Sequence, residues 1–154
     1  MSIKYLQELD NLNFQSLGRT LGNRPMLTTE ILALEQQFNN SKPFPAVLRE
    51  LLLIAGNGCP IIDVKPLDLQ QKIRARLVQK GHIISSPFFG FDYRDGGSFS
   101  MVYTDENTYD PEVYHVELDP SEDEHTEFIE DSEFTLLRLL KHRVNQIKKG
   151  YSPY

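Results

Sequence analysis

The sequence has one cysteine, no tryptophan and no long apolar run. Because Cys59 is alone it cannot form an internal disulfide, and no secretory leader pattern opens the chain, so we expect a cytoplasmic protein. The longest apolar run, residues 51–55, is far shorter than the ~20 residues that span a bilayer, which predicts no membrane insertion. With 154 residues, 40% of them apolar and 25% charged, the chain has the composition of one globular domain.

Basic residues are missing from a long stretch, since no lysine or arginine occurs from residue 95 to residue 137. That stretch holds fourteen acidic residues, whereas the other 8 acidic residues and all 16 basic residues lie outside it. This separation predicts a molecule with an acidic region and a basic region, whose electric field steers charged partners. Nucleic acid is not expected to bind the acidic region directly, because its phosphates would be repelled.

Apolar periodicity predicts helices in the first half of the chain and strands in the second. The predicted helices span residues 2–11, 28–38, 45–55 and 67–80, with Thr28 or Thr29 as the N-cap of the second. The predicted strands span residues 61–64, 88–93, 98–103 and 112–118. A last helix is predicted after Ser132 as its cap, with a core stripe of Phe134, Leu137, Leu140, Val144 and Ile147.

This order of elements, without a βαβ rhythm, predicts an α+β fold in which helices pack against a mainly antiparallel sheet. We expect one such domain at residues 28–150. Residues 1–27 are predicted to form an N-terminal helix and an irregular arm, and residues 151–154 a tail.

The sequence carries no motif for catalysis or cofactor binding. Cys59 has no nucleophile signature, and neither a Gly-x-Ser-x-Gly elbow nor a phosphate-binding loop occurs. Zinc-ligand spacing is absent among the histidines, which are His82, His115, His125 and His142. We therefore expect no enzyme activity, catalytic residue, metal or cofactor. A hydrolase that uses Asp92, His115 or nearby carboxylates is the alternative.

An acidic loop follows the last predicted strand and offers oxygens at EF-hand spacing. These oxygens belong to Asp119, Ser121, Asp123 and Glu130. The sixth position should be glycine and is Glu124, so we expect no bound calcium. Two interpretations of the loop stay open, a solvated segment that aids solubility and a docking surface for a basic partner.

In the docking interpretation, the partner-binding residues are acids of two loops and one tyrosine, namely Asp105, Glu106, Tyr109, Asp119, Glu122, Asp123, Glu124 and Glu127. Tyr103, Tyr109 and Tyr114 could act as rigid aromatic anchors or belong to the core. The basic helix at residues 67–80 is the competing interface.

Several short motifs occur in an order found in one protein superfamily. They are Ile-Leu-Ala-Leu-Glu at 31–35, Phe-Pro-Ala-Val-Leu-Arg-Glu-Leu-Leu at 44–52, Gly-Asn-Gly at 56–58, Phe-Gly-Phe at 89–91, Asp-Gly-Gly at 95–97, Asp-Pro-Glu-Val-Tyr at 110–114 and Ser-Glu-Phe-Thr-Leu-Leu at 132–137. Through them the chain resembles the SUKH superfamily over roughly residues 28–149.

The resemblance implies a compact α+β domain without catalytic residues. Bacterial members of the superfamily are mostly immunity proteins that neutralise a cognate toxin, and fungal members regulate cell-wall glucan synthesis. We therefore expect a binding protein whose acidic surface covers the basic, nucleic-acid-facing surface of a nuclease-like toxin. The alternative is an intracellular regulatory or scaffold protein of the cell-wall type.

Overall fold

The computed structural model describes residues 2–12, 22–64, 66–94, 97–119 and 128–154. Within these ranges the chain forms five helices and four strands. In chain order they are α1 (Gln7–Asp10), α2 (Thr28–Phe38), α3 (Ala46–Ala55), α4 (Pro66–Gln79), β1 (Phe88–Arg94), β2 (Ser98–Tyr103), β3 (Glu112–Glu117), β4 (Ile129–Thr135) and α5 (Leu136–Lys148). None of the helices in these ranges is long and apolar enough to cross a bilayer.

The four strands form one antiparallel sheet in the order β1-β2-β3-β4. Phe89 of β1 pairs with Val102 of β2, and Val102 pairs with Val113 of β3. Antiparallel neighbours need only short connections, so strands that follow one another in the chain also lie side by side. The predicted α+β fold with a mainly antiparallel sheet is confirmed.

Both faces of the sheet are buried, each in its own hydrophobic cluster. Phe89 and Val113 pack with apolar residues of α1, α2, α3 and α5 in the larger cluster. Met101 and Val116 point the other way and pack with Leu69, Ile73 and Leu77 of α4. Side chains alternate between faces along a strand, so this division places the sheet between α4 and the remaining helices.

Strand β1 lies at an edge of the sheet, and α4 occupies its outward-facing backbone groups. The Gln70 side chain donates to the Gly90 carbonyl at 2.6 Å and accepts from the Gly90 N–H at 2.9 Å. Arg74 donates to the Phe88 carbonyl at 2.7 Å. Free edge groups are templates for pairing with another strand, so these side chains close the β1 edge.

The last helix begins later than predicted, because a fourth strand precedes it. Ser132 caps no helix; it lies in β4, where its hydroxyl donates to the Val113 carbonyl at 2.7 Å. The N-cap of α5 is Thr135, whose hydroxyl accepts a backbone N–H of the first turn at 3.3 Å. Phe134 and Leu137, predicted for the core stripe, are only partly buried. The buried residues of α5 are Leu136, Leu140, Val144 and Ile147.

Residues 61–64 do not form the predicted strand. Ile61, Ile62 and Val64 are buried in the larger cluster, as their apolar character requires. The backbone of the segment bonds to the β1 edge of the sheet: the Asp92 N–H donates to the Asp63 carbonyl and the Asp63 N–H donates to Asp92 Oδ1, both at 2.9 Å. Burial alone therefore explains the apolar pattern, without a strand ladder.

Two helix starts also differ from the prediction. Helix α1 is shorter than residues 2–11, because the backbone N–H groups that precede it bond to the Glu50 carboxylate. The N-cap of α2 is Leu27 rather than Thr28 or Thr29. The Leu27 N–H donates to the Glu30 carboxylate at 3.3 Å, which leaves the threonines in the first turn.

Candidate functional site

Acidic residues gather at one end of the sheet, around the loop between β2 and β3. Asp105 and Glu106 lie exposed in this loop, and Glu112 opens β3. The register places Asp131 of β4 beside Tyr114 of β3. Since antiparallel strands reverse direction, the end of β2, the start of β3 and the end of β4 meet at the same end of the sheet, and Asp131 lies further in, near the middle of β4.

Two tyrosines lie among these acids. Tyr103 ends β2, and its ring contacts the ring of Tyr114 edge to face, with centroids 5.3 Å apart and an interplanar angle of 61°. Both rings pack against the cluster beneath α4 and are half-buried. We call these two residues the tyrosine pair. We call the wider surface the acidic face; its residues are Tyr103, Asp105, Glu106, Glu112, Tyr114 and Asp131.

The electrostatics of the tyrosine pair reflect its surroundings. Burial raises the pKa of Tyr103, and the carboxylates of Glu106 and Asp105 raise it further. Burial likewise raises the pKa of Tyr114, with Glu106 and the acids of β3 and β4 adding to the shift. Both hydroxyls therefore keep their protons at neutral pH and can donate hydrogen bonds. None of the four acids of the acidic face forms an ion pair within the described part of the chain.

A groove of about 590 Å³ opens between the β2–β3 loop and the segment that joins α2 to α3. Residues 42–46 line one wall and residues 104–109 the other. Two prolines and Tyr109 supply apolar surface, while Asp105 and Glu106 supply carboxylates. We call this cavity the loop groove. It adjoins the acidic face, because the two share both carboxylates.

Hydrogen bonds fix the two walls of the loop groove relative to each other. The Thr104 hydroxyl donates to Asn39 Oδ1 at 2.7 Å, and both residues are buried. The Asn39 amide in turn donates to the carbonyls of Lys42 and Pro43, at 2.9 and 3.2 Å. A backbone N–H in the first turn of α3 donates to the Tyr109 carbonyl at 3.0 Å. Satisfied buried networks of this kind hold a unique geometry.

The N-terminal segment supports the loop groove from behind. Tyr5 stacks on Tyr109, with ring centroids 5.1 Å apart and planes inclined by 18°. The buried Glu50 carboxylate accepts the backbone N–H groups of Lys4, Tyr5 at 2.8 Å and Leu6 at 3.1 Å. Three donors on one carboxylate hold the segment in place, so it contributes to the position of Tyr109.

Asp119, predicted for the same surface, lies at the other end of β3. The strand rise of ~3.3 Å per residue separates it from Glu112 by on the order of 20 Å. Lys80 Nζ lies 2.7 Å from Asp119 Oδ1, and the hydrogen bond from this ammonium lowers the pKa of the carboxyl. The structure thus brings Asp105 and Glu106 together with Tyr109, but not with Asp119. Four further predicted residues lie outside the described ranges: Glu122, Asp123, Glu124 and Glu127.

The competing basic helix is α4, and the fold uses much of its charge. The Arg74 guanidinium lies 4.3 Å from the centroids of both the Phe38 and Phe88 rings, and burial lowers its pKa to about 10. Lys72 lies over a tyrosine ring of β1 at 4.8 Å, and Lys80, the residue that follows the helix, pairs with Asp119. These contacts make α4 a weaker candidate interface than its sequence suggested.

Asp92 and Cys59 both lie in largely buried surroundings. Asp92 Oδ2 lies 2.7 Å from Arg143 Nη1, both side chains are nearly buried, and Arg143 also donates to the Ile61 carbonyl at 3.0 Å. Burial raises the pKa of the Cys59 thiol to about 11, so it stays protonated at neutral pH. A protonated thiol is a poor nucleophile and a poor metal ligand.

His115 lies in register between Ser100 of β2 and Glu130 of β4. This register places His115 beside a hydroxyl on one neighbouring strand and a carboxylate on the other. Groups of three side chains able to ligate a metal are absent from the described part of the chain. Of the four positions with EF-hand spacing, Ser121 and Asp123 lie outside it.

The sequence did not predict two residues of the acidic face, Glu112 and Asp131. It also did not predict the loop groove. Glu112 follows from alternation, because it lies two positions before Tyr114 on the same strand and shares its face. Asp131 could not be assigned, since its strand was not recognised. The loop groove depends on the contact between Asn39 and Thr104, residues far apart in the chain, and no local pattern indicates that contact.

The chain has no significant match among protein-family models, curated protein sequences or solved structures. Fold and site together define a single-domain α+β protein with an acidic, tyrosine-bearing surface at one end of its sheet. Its function has to be argued from that surface.

Proposed function

We propose that this protein is a non-enzymatic binding protein of the SUKH type, an immunity protein that neutralises a basic, nuclease-like toxin domain in the cytoplasm. The observation that carries the proposal is the tyrosine pair among four acids that have no ion-pair partner in the described chain. Such a surface repels nucleic acid and attracts a positively charged protein.

The acids and the tyrosines have different tasks in this proposal. Uncompensated carboxylates raise the association rate from about 10⁵–10⁶ M⁻¹s⁻¹ toward 10⁸ M⁻¹s⁻¹ at low salt. Tyrosines are enriched among the few residues that dominate binding energy, because a rigid ring buries a large area and its hydroxyl still forms a hydrogen bond. The tyrosine pair is already ordered by its contact with the sheet, which lowers the entropy lost on binding.

Neutralisation then follows from occlusion. A toxin that binds nucleic acid presents basic side chains to phosphates, and the acidic face offers carboxylates to the same side chains. Fast capture through charge and slow release through the tyrosine pair keep the toxin from its substrate. No reaction on the toxin is required.

The test of this proposal is co-expression with toxin-like products of neighbouring genes, with growth as the readout. We expect one of them to arrest growth alone and to be tolerated in the presence of this protein. The matched variants are Glu106→Gln with Glu112→Gln on the acidic face, and Asp10→Asn at the exposed end of α1 as the charge control. Rescue should fail or weaken with the first pair and persist with the control.

Association rates measured with purified proteins distinguish electrostatic steering from direct contact at the interface. With the neutralised toxin, the double glutamine variant should slow association at least tenfold at low salt and flatten its salt dependence, while Asp10→Asn leaves both unchanged. Rescue that is indifferent to the acidic face would overturn the assignment of the interface. A partner that binds without losing its activity would instead indicate the regulatory or scaffold class.

A further inference from the structure

We infer that the loop groove binds an arginine side chain of the protein partner. The inference rests on the proposed function and goes beyond it, because it names the group that is recognised and the cavity that receives it. Its grounds are the volume and rigidity of the loop groove, the free surface of Tyr109, and the charge of the lining.

The loop groove is a preformed cavity rather than a gap between mobile loops. Its volume of about 590 Å³ is sufficient for a long side chain and part of the backbone that carries it. The bonds from Thr104 to Asn39 and from α3 to the Tyr109 carbonyl keep its walls apart at a fixed distance. A cavity that exists before binding costs little conformational entropy to fill.

Tyr109 supplies a flat surface in the loop groove. Tyr5 stacks against its ring, yet Tyr109 is 55% exposed. Its supported ring is therefore available to a second planar group. A guanidinium stacks on such a ring and remains free to form hydrogen bonds at its edge, which an ammonium group cannot do.

The charge of the lining favours a cation. Asp105 and Glu106 are exposed and form no ion pair with any described residue, while Lys42 on the opposite wall is the single base among the lining residues. Two carboxylates against one ammonium leave the loop groove negative. Neighbouring carboxylates accept the forked N–H groups of a guanidinium, whose planar geometry fits them better than a lysine point charge.

The experiment is a titration of the whole, isotope-labelled protein with N-acetyl-arginine amide, followed by backbone amide chemical shifts at low salt. The citrulline analogue has the same shape without the charge, and the lysine analogue has the charge without the plane. We expect saturable shifts confined to residues 104–109 and the facing wall, with a Kd of about 1 mM for arginine. Citrulline should bind at least tenfold more weakly, and lysine severalfold more weakly.

Three variants complete the test. Asp105→Asn with Glu106→Gln should abolish the saturable shifts, and Tyr109→Ala should weaken them while Tyr109→Phe preserves them. Glu112→Gln, an acid of the acidic face outside the loop groove, should leave arginine binding unchanged. Equal binding of citrulline, shifts spread over the surface, or an equal loss with Glu112→Gln would overturn the inference. The proposed function would survive that result if toxin rescue still depended on Glu112, so the two failures are distinguishable.

Discussion

The Glu50 carboxylate attaches the N-terminal segment to the rest of the fold, so the effect of removing that carboxylate can be predicted. Replacing Glu50 by alanine removes the acceptor of three backbone N–H groups in residues 4–6. Hydrogen bonds to a charged group contribute about 1.5–3 kcal/mol each, so the three together contribute about 5 kcal/mol or more. If the segment stayed in place, one buried and two part-buried backbone donors would lose this acceptor.

In Glu50→Ala, the alternative is that the N-terminal segment detaches from the rest of the fold. Detachment exposes Leu6 and Leu9, which are buried in the larger cluster and whose burial stabilises docking by about 1.5–3 kcal/mol each. Release also restores backbone entropy of about 1–2 kcal/mol per residue. Over several residues, the free energy gained from backbone entropy exceeds the stabilisation from burying the two leucines. We therefore expect the segment to detach while the rest of the fold persists.

Amide hydrogen exchange measures this directly. The Asp10 and Asn11 N–H groups donate to the carbonyls of Leu6 and Gln7 within α1. A loss of about 3 kcal/mol corresponds to a 100-fold change, so we expect these amides in Glu50→Ala to exchange at least 100-fold faster, with amides of the sheet little changed. Glu50→Gln keeps an acceptor oxygen and should fall between. Exchange at the wild-type rate in Glu50→Ala would refute the reasoning.

Three further predictions concern the sheet, the thiol and the tyrosine pair. A Cβ on Gly90 would lie 2.5 Å from Cδ1 of the fully buried Ile73, so Gly90→Ala should lower the free energy of unfolding in urea by about 1–3 kcal/mol. Ile73→Val removes the clashing methyl group and should recover part of that loss in the double variant. If the effects of the two substitutions simply added, the clash would be contradicted. With its pKa at about 11, the Cys59 thiol should react with iodoacetamide about tenfold faster for each pH unit between pH 8 and pH 10. At pH 8 it should react far more slowly in the folded protein than in the unfolded protein, because burial is what raises its pKa. The Glu106 carboxylate raises the pKa of both tyrosines, so Glu106→Gln should lower these pKa values in an absorbance titration. Because the pKa values of the folded protein lie above those of the unfolded chain, the free energy of unfolding should fall as pH rises above about 10.

The elements that could be predicted from the sequence are those with a strong apolar period. Helices α2, α3 and α4 bury one stripe each, and β1, β2 and β3 pack both faces, so their patterns are clear. Strand β4 has acids at Glu130, Asp131 and Glu133, and it lies at an edge with little burial. Only its pairing with β3 makes it a strand, and that pairing has no local signature.

Residues 61–64 show the opposite error. Their apolar side chains predicted a strand, but an apolar tetrapeptide is equally suited to an irregular segment buried between helices and sheet. The chain is held there by Asp92 and by the bond from Arg143 to the Ile61 carbonyl. Those partners come from β1 and α5, so the conformation depends on tertiary contacts that periodicity does not contain.

For the candidate site, the sequence indicated the charge but not the grouping. The absence of bases between residues 95 and 137 predicted an acidic region, and four acids of that stretch lie exposed on the acidic face. Which acids share that surface depends on the strand register, which joins Glu112 and Asp131 to the tyrosine pair and sends Asp119 to the far end. Tyr109, predicted beside the other tyrosines, instead stacks on Tyr5.

The closed edge of β1 bears on how copies of this protein can associate. Edge-to-edge growth of a sheet needs two free edges on every copy, one to receive a neighbour and one to offer to the next. Gln70 and Arg74 withdraw the Gly90 and Phe88 groups from any such pairing. Pairing through β4 could therefore join two copies about a twofold axis but could not propagate into a filament. The same two side chains that order α4 on the sheet thus limit the polymer this fold can build, even at high expression.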